Sequence, residues 1–462
     1  MIKTFSEAVE YLESLIPAKK ASKFPGLLGL QRQKYLMNLL GNPQDKYPTI
    51  HITGTSGKGS TAYLISSILT SAGYKVGLHI SPHLISITER IQINNENLKE
   101  KKFVDLVNRI IPYIEKTAKS KYGIPTYFEV LVALAFQAFY EEKVDLAVIE
   151  VGMGGKYDGT NVIKKPLVSV ITNVGLDHTQ VLGDTVEKIT RDKKDIIKKN
   201  SQVVSGARQK SVIEIIEGKC NKEGNPLHLL NRDFSYKVSK LDNHGSIFSV
   251  YTKHDRYLNL NLKLLGLHQV ENASLAVMAS ELLNNKGFKI KKTAIKDAFG
   301  NAYFPGRLEI VKRSPLIIYD GAHNVDKIKA MVGTIPKIFS YKKLIVVFAL
   351  KRGKDAKAIF SHLTRIADHI ILTKFSVGAD TGLNLSFPPK KLQQILFKKF
   401  NFKNVEIINP AAKALKKALT MQKDDNLVLV TGSLYLIAEL KKSNSIEDHA
   451  TPKSTRIPRM IR

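Results

Sequence analysis

Cysteine is nearly absent from this sequence: one residue, Cys220, in 462. A single thiol excludes an intramolecular disulfide and argues against a cysteine-based metal site. Also missing is any run of about eighteen apolar residues, the length a membrane-spanning helix needs. The opening Met1-Ile-Lys-Thr-Phe-Ser-Glu7 lacks the pattern of a secretory signal. No membrane partner is therefore expected, and a cytoplasmic location is. Acidic residues are scarce relative to basic ones, 41 against 71, which leaves a formal net charge of +30. Such a surplus could serve a nucleic acid. The lysines are spread along the whole chain, however, in short runs such as Lys101-Lys102, Lys193-Lys194 and Lys351-Arg-Gly-Lys354. No aromatic-interleaved basic stripe and no helix-turn-helix or RNA-binding signature accompanies them. Charge alone reports non-specific attraction, and polyanionic small substrates account for it equally well, so no specific nucleic-acid partner is expected.

What is present centres on His51-Ile-Thr-Gly-Thr-Ser-Gly-Lys-Gly-Ser-Thr61, a glycine-rich turn between an apolar run and a helical pattern. Pro48 to Thr53 reads as a short buried strand, and Ser60 to Ala72 as a helix closed by Gly73. Unpaired N–H groups at a helix start and the positive end of its dipole favour a di- or triphosphate. Gly54, Gly57 and Gly59 let the backbone approach it, Thr55, Ser56 and Ser60 add polar atoms, and Lys58 adds a point charge on the outer phosphates. The loop departs from the general P-loop, with Ile52 six residues before the lysine and Gly59 between the lysine and the hydroxyls. A tight strand-to-helix turn with a solvated lysine has the same local pattern.

Other chemistry-bearing residues follow apolar strands. Lys75 to His79 leads into Ser81-Pro-His-Leu84, and Thr88-Glu-Arg-Ile91 follows. Thr126-Tyr-Phe-Glu129 opens an apolar helix, Val130 to Tyr140, in which Phe128 is either a core aromatic or a site residue. Asp145 to Val151 is a buried-strand pattern carrying Glu150, and it opens into Gly152-Met-Gly-Gly155. An acid there needs a positive neighbour, either a lysine or a metal ion. Leu167 to Asn173 delivers Leu176-Asp-His178. Ser81, Glu150 and His178 thus end or follow strands of one sheet, at the edge where ligands gather, and hard oxygens with one imidazole can hold magnesium. Asp192-Lys-Lys-Asp-Ile-Ile-Lys198 lies in a helix expected from Thr185 to Lys199, where Lys193 on its own reads as one more solvated lysine. From Gly206 to Leu264 polar and apolar residues alternate, which predicts a small antiparallel annex. Gly266-Leu-His-Gln-Val-Glu-Asn272 opens a long helix, with Asn272 where asparagine is commonly a cap.

The chain is too long for one ordinary core. The fold class is α/β: a P-loop-type parallel-sheet ATPase domain over residues 1–300 with its annex, and a smaller Rossmann-like domain over 301–442, where strands and helices alternate from Leu316 to Thr431. Pro305-Gly306 supplies the joint, and Asp320-Gly-Ala-His-Asn324 sits at a strand end, as a ligand site or as a capped turn. Residues 443–462 are polar and basic, with Pro452 and Pro458, and read as a flexible tail.

Gly54 to Ser60 resembles the nucleotide loop of the folylpolyglutamate synthase and dihydrofolate synthase family, within the wider Mur ligase superfamily, with Ser56 where the family has asparagine. The Ser81, Thr88, Glu150, Leu176, Gly266 and Asp320 motifs resemble the same family in the same order, over about residues 22–440. The resemblance implies an ATP-dependent ligase that joins L-glutamate to dihydropteroate, to the terminal glutamate of a folate, or to both, through an acyl phosphate. It implies magnesium at Ser81, Glu150, His178 and Lys193, the last bearing a carbamate, although Asp192 and Lys194-Asp195 depart from the family's Glu-Lys-Ala-Gly. It further implies Asn272 near the nucleotide base, Arg307 and Asp320 as ATP contacts across the domain cleft, His323 near phosphate, and Phe128 near the pterin. A monomer is expected. A Mur-type cell-wall ligase shares the chemistry, but Gly59 and the Ser81 and Asp320 motifs favour the folate branch. A nucleic-acid-binding P-loop ATPase is supported by charge alone.

Overall fold

The computed structural model describes residues 1–16, 24–376, 386–421 and 425–443. The tail expected from residue 443 onward lies, beyond Ser443, outside them. The described residues fall into two compact units, one running through Phe304 and the other beginning at Pro305.

In the first unit an eight-stranded sheet runs in the order Glu96–Asn97, Ile91–Ile93, Val76–His79, Leu146–Glu150, Thr49–Thr53, Val168–Ile171, Gln202–Ser205, Leu227–Leu229. The two strands at the Glu96 edge are antiparallel to their neighbours, and the rest of the sheet is parallel. Thr49–Thr53 is buried along its length because the sheet is covered on both faces. Ile50, Ile52, Val148 and Val170 pack with Ile65, Ile68, Val270 and Val277 on one face. On the other, Ala147 and Ile149 pack with Phe136, Phe139 and Phe103. Burial on both faces explains the near-continuous apolar strands read from the sequence. The alternating region is part helix: Lys210–Glu223 is helical, Leu227–Leu229 joins the parallel sheet, and only Ser235–Asp242, Gly245–Tyr251 and Arg256–Leu262 form the three-stranded annex. The annex buries Phe248, Val250 and Leu260 into the core shared with Phe299.

The second unit holds a six-stranded sheet in the order Glu309–Arg313, Leu316–Asp320, Asn426–Thr431, Lys343–Phe348, His369–Leu372, Val405–Ile407. It is mixed, since Glu309–Arg313 pairs antiparallel with Leu316–Asp320 while the other pairings are parallel. That edge strand was not expected, because Glu309, Lys312 and Arg313 dilute its apolar pattern.

Candidate active site

The loop after Thr49–Thr53 leaves the sheet where the chain order reverses, with Leu146–Glu150 on one side and Val168–Ile171 on the other. Such a switch point opens a crevice beyond the strand ends. The helix that follows starts at Lys58, two residues earlier than its apolar spacing suggested, and runs to Ser71. Gly57 is its N-cap at φ +85°, a left-handed conformation that glycine adopts without cost, and no side chain caps the helix. The first intrahelical bond runs from Thr61 N to Gly57 O, at 2.9 Å. The N–H groups before it have no acceptor within the helix, so the start is suited to an anion.

The loop is held from its neighbours. Asn173 Oδ1 accepts from Ser56 N at 2.8 Å, and Asn173 O accepts from Thr55 N at 3.0 Å. Thr172 Oγ1 donates to Ser56 O at 2.6 Å, and Thr55 Oγ1 donates to Gly175 O at 3.0 Å. A β-carbon at Gly54 would overlap Thr172, and one at Gly57 would overlap Asn272 Oδ1. Asn272, held by its Nδ2 bond to Gln269 Oε1 at 3.0 Å, therefore lies against the loop itself. Ser56 Oγ is buried and has no hydrogen-bond partner among the described residues. Thr172 and Asn173 were not among the residues singled out from sequence. A short polar pair after a strand carries no local mark of which loop it will brace.

Two lysines meet at one carbonyl. Lys58 Nζ donates to Gly54 O at 3.0 Å, and Lys193 Nζ donates to the same oxygen at 3.1 Å. Lys193 is 3% exposed, so it is not a solvated surface lysine. Burial, and then the charge of Lys58, pull its ammonium down to about 7; Asp192, Asp177 and Asp158 oppose this. Lys193 closes the helix Val186–Lys193, and a short 3-10 turn, Lys194–Ile196, takes the place of the expected run to Lys199. Lys194 instead pairs with Asp195 at 3.3 Å.

Glu150 ends its strand 4% exposed. Its Oε2 accepts from Ser81 N at 2.9 Å and lies 3.3 Å from where a β-carbon on Gly59 would sit. The structure thus brings Glu150, Ser81 and the helix start together. His178 is in the left-handed region at φ +52°, with its side chain 47% exposed and its Nε2 4.0 Å from Asp177 Oδ2. Among the described residues, no three His, Cys, Asp or Glu side chains cluster as a metal site. Glu150 and Ser81 nevertheless suit a hard cation, since one carboxylate and one hydroxyl stand beside a phosphate-type loop.

Phe128 is half-buried in the helix Tyr127–Glu141. Its ring lies so close to Gly152 that a β-carbon there would overlap it, and its centroid is 6.4 Å from that of His79. Asp158, another residue that sequence reasoning passed over, accepts from Met153 N at 2.9 Å and Thr160 N at 3.0 Å nearby, and burial raises its carboxyl.

In the second unit Asp320 ends its strand, accepting from Leu308 N and Ala322 N at 2.9 Å each. Arg307 Nη1 is 3.2 Å from where a β-carbon on Gly321 would sit. His323 Nδ1 is 2.8 Å from Gly321 O.

Residues 52–280 match the Mur ligase middle domain, and residues 306–434 match the Mur ligase, glutamate ligase domain. The dihydrofolate synthase/folylpolyglutamate synthase of Bacillus subtilis (strain 168) is 33% identical over 422 residues, covering 91% of this chain and 96% of that protein. The structure of Mycobacterium tuberculosis folylpolyglutamate synthase complexed with ADP superposes with a TM-score of 0.86 at 26% identity, covering 96% of this chain and 99% of that one. A folylpolyglutamate synthase complex with AMPPCP and folate gives a TM-score of 0.82 at 29% identity, with the same coverage. A phosphate-type loop and an acidic strand end in one unit, and a second α/β unit matched separately, make this chain a member of the dihydrofolate synthase/folylpolyglutamate synthase family of Mur-type ATP-dependent ligases.

Proposed function

We propose that this ligase phosphorylates a carboxylate of dihydropteroate, or of the terminal glutamate of a folate, and joins it to L-glutamate. The observation that carries the reading is the uncapped helix start at Lys58 with buried Glu150 and Ser81 beside it. The ADP-bound and AMPPCP–folate-bound relatives support it. The substrate carboxylate takes the terminal phosphoryl group of ATP, and the glutamate amine then attacks the acyl carbon. The bond from that carbon to the phosphate oxygen breaks, the amine loses a proton, and ADP and phosphate leave.

No side chain need act as a nucleophile, so the protein contributes position and charge. Lys58 and the amides of Gly57, Gly59 and Ser60 hold phosphate oxygens. Gly54, Thr55 and Ser56 shape the loop, Asn272 stands on the nucleotide side, and Arg307 and Asp320 contact ATP. Glu150, Ser81, His178 and Lys193 would hold magnesium, which supplies neutralisation of phosphate charge. With its pKa near 7, the Lys193 amine is available in neutral form to add carbon dioxide, and the resulting carbamate is an anionic oxygen donor instead of a second cation. Phe128 offers an aromatic face to the pterin, and His323 stands near the transferred phosphate.

The test is to incubate the purified chain with ATP, L-glutamate, and either dihydropteroate or tetrahydrofolate, and to identify glutamylated product and ADP. Lys58→Ala should abolish ligation while leaving the thermal transition in place. Undiminished ligation by that variant at saturating ATP would remove the phosphate loop from the reaction.

A further inference from the structure

Two polar side chains of the strand Thr49–Thr53 have no part in the reaction scheme. His51 and Thr53 are two residues apart and so point to the same side of the sheet. Both reach the segment that follows Glu150. Thr53 Oγ1 donates to Gly154 O at 2.5 Å. His51 reaches the same turn through a chain of buried groups. Its Nε2 is 2.8 Å from Thr160 Oγ1, and that hydroxyl lies 2.6 Å from Asp158 Oδ1. The Asp158 carboxylate also accepts from Thr160 N at 3.0 Å, from Met153 N at 2.9 Å and from Gly152 N. Surrounded by donors, it acts as acceptor throughout. The Thr160 hydroxyl therefore donates to Asp158 and accepts from His51 Nε2–H. His51 is thereby fixed in one tautomer, and its buried Nδ1 lone pair has no hydrogen-bond partner among the described residues.

That lone pair argues against a purely stabilising role. His51 is wholly buried, and an unmatched buried acceptor costs stability that an apolar residue at this strand position would keep. What the two side chains hold is the turn Gly152–Gly155, gripped at its N–H groups by Asp158 and at its Gly154 carbonyl by Thr53. The same turn supports the end of the helix Val186–Lys193. A β-carbon on Gly155 would come 2.8 Å from Lys193 O and 3.0 Å from Lys193 Cα, and Lys156 N donates to Asp192 Oδ1 at 3.4 Å. The Lys193 backbone thus rests on the turn, while its Nζ meets the carbonyl of Gly54, the residue after Thr53. We propose that His51, acting through Thr160 and Asp158, is a positioning residue for Lys193, because it fixes the turn on which the Lys193 backbone rests. The consequence for turnover rests on the ligase reading above.

Substitutions at Thr160 and His51 in the full chain test this. Thr160→Val keeps the shape of the side chain and removes the hydroxyl, whereas Thr160→Ser keeps the hydroxyl. Amide NMR spectra need no turnover. In them Thr160→Val and His51→Leu should move the signals of both Met153 and Lys193. Thr160→Ser, and His51→Gln, whose side-chain N–H can still donate to Thr160, should leave the Lys193 signal near its wild-type place. In steady-state ligation Thr160→Val should lower kcat by about tenfold or more with KM for L-glutamate within about threefold, since misplacing a group costs rate more than uniform binding. Thr160→Ser should recover most of that loss. An unmoved Lys193 signal in Thr160→Val and His51→Leu, an undiminished kcat, or a Thr160→Ser enzyme as impaired as Thr160→Val overturns the proposal. If the wild type forms no glutamylated product, the ligase reading fails, and the spectra alone then decide whether His51 positions Lys193.

Discussion

At Lys193 the local pattern reads as one more solvated lysine, while the family resemblance implies a carbamate-bearing metal ligand; the structure buries the side chain on Gly54 O beside Lys58. Lys193→Ala should therefore lose most ligase activity, with partial rescue by a short carboxylic acid, whereas Lys194→Ala should change little because its partner is Asp195. Full activity of Lys193→Ala in carbon dioxide-depleted buffer would exclude the carbamate. His51 shows a second effect of burial. Fully buried, with Nε2 2.8 Å from Thr160 Oγ1, it is pushed by desolvation, and then by the Lys198 charge, down to about 3. Above its ordinary pKa of about 6.5 it is neutral in both folded and unfolded chains and adds no pH dependence. Below that value the unfolded chain binds a proton that the folded chain refuses, so stability falls as the pH drops toward 3. By linkage the loss from this one residue reaches about 2 kcal/mol at pH 5. Denaturant unfolding of wild type and His51→Gln at pH 8 and pH 5 should show a shallower loss in the variant; identical losses would mean that His51 titrates normally.

Among the elements, the helix Gly26–Leu39 is tied to the start of Tyr127–Glu141 by a buried ion pair. Arg32 Nε and Nη2 donate to Glu129 Oε2 and Oε1 at 2.6 and 2.8 Å, and Glu129 also closes a capping box with Thr126. Removing one partner leaves a buried charge alone, so Glu129→Ala should cost about 3–5 kcal/mol, while an apolar replacement of both should recover much of that. Equal losses in the single and the double variant would show that packing, and not charge, holds the joint. The same helix carries Phe128 in its first turn, so the pair fixes the ring that lies on Gly152. Strand positions were readable because buried parallel strands are continuous apolar runs, and this put Ser81 and Glu150 at strand ends before any coordinates. The helix Lys210–Glu223 departs from the strand reading of this region, because its buried Val212, Ile216 and Cys220 recur every fourth residue, which is helical spacing, and the true alternation starts only further along the chain.

Over the whole molecule the charge of +30 remains a field with no single patch assigned to it. If its role is to draw in polyanionic substrates, screening should weaken that attraction, since the Debye length shrinks from about 10 Å at 0.1 M salt to about 3 Å at 1 M. KM for ATP and for the folate substrate should rise together over that range while kcat changes little. A flat response would separate the charge from substrate capture.

The sequence by itself determined the α/β class, the phosphate-type loop and the family, because these rest on local features: glycine spacing, apolar runs and short motifs whose order survives any folding. Only the tertiary structure decided that Asn173 and Thr172 brace the loop, that Asn272 fills the space left by Gly57, and that Lys58 and Lys193 share one carbonyl. Each of these pairs joins residues more than a hundred positions apart in the chain, apart from Lys58 with its own loop. Their meeting is set by strand order in the sheet, and strand order is a property of the packed whole that no single stretch of chain encodes.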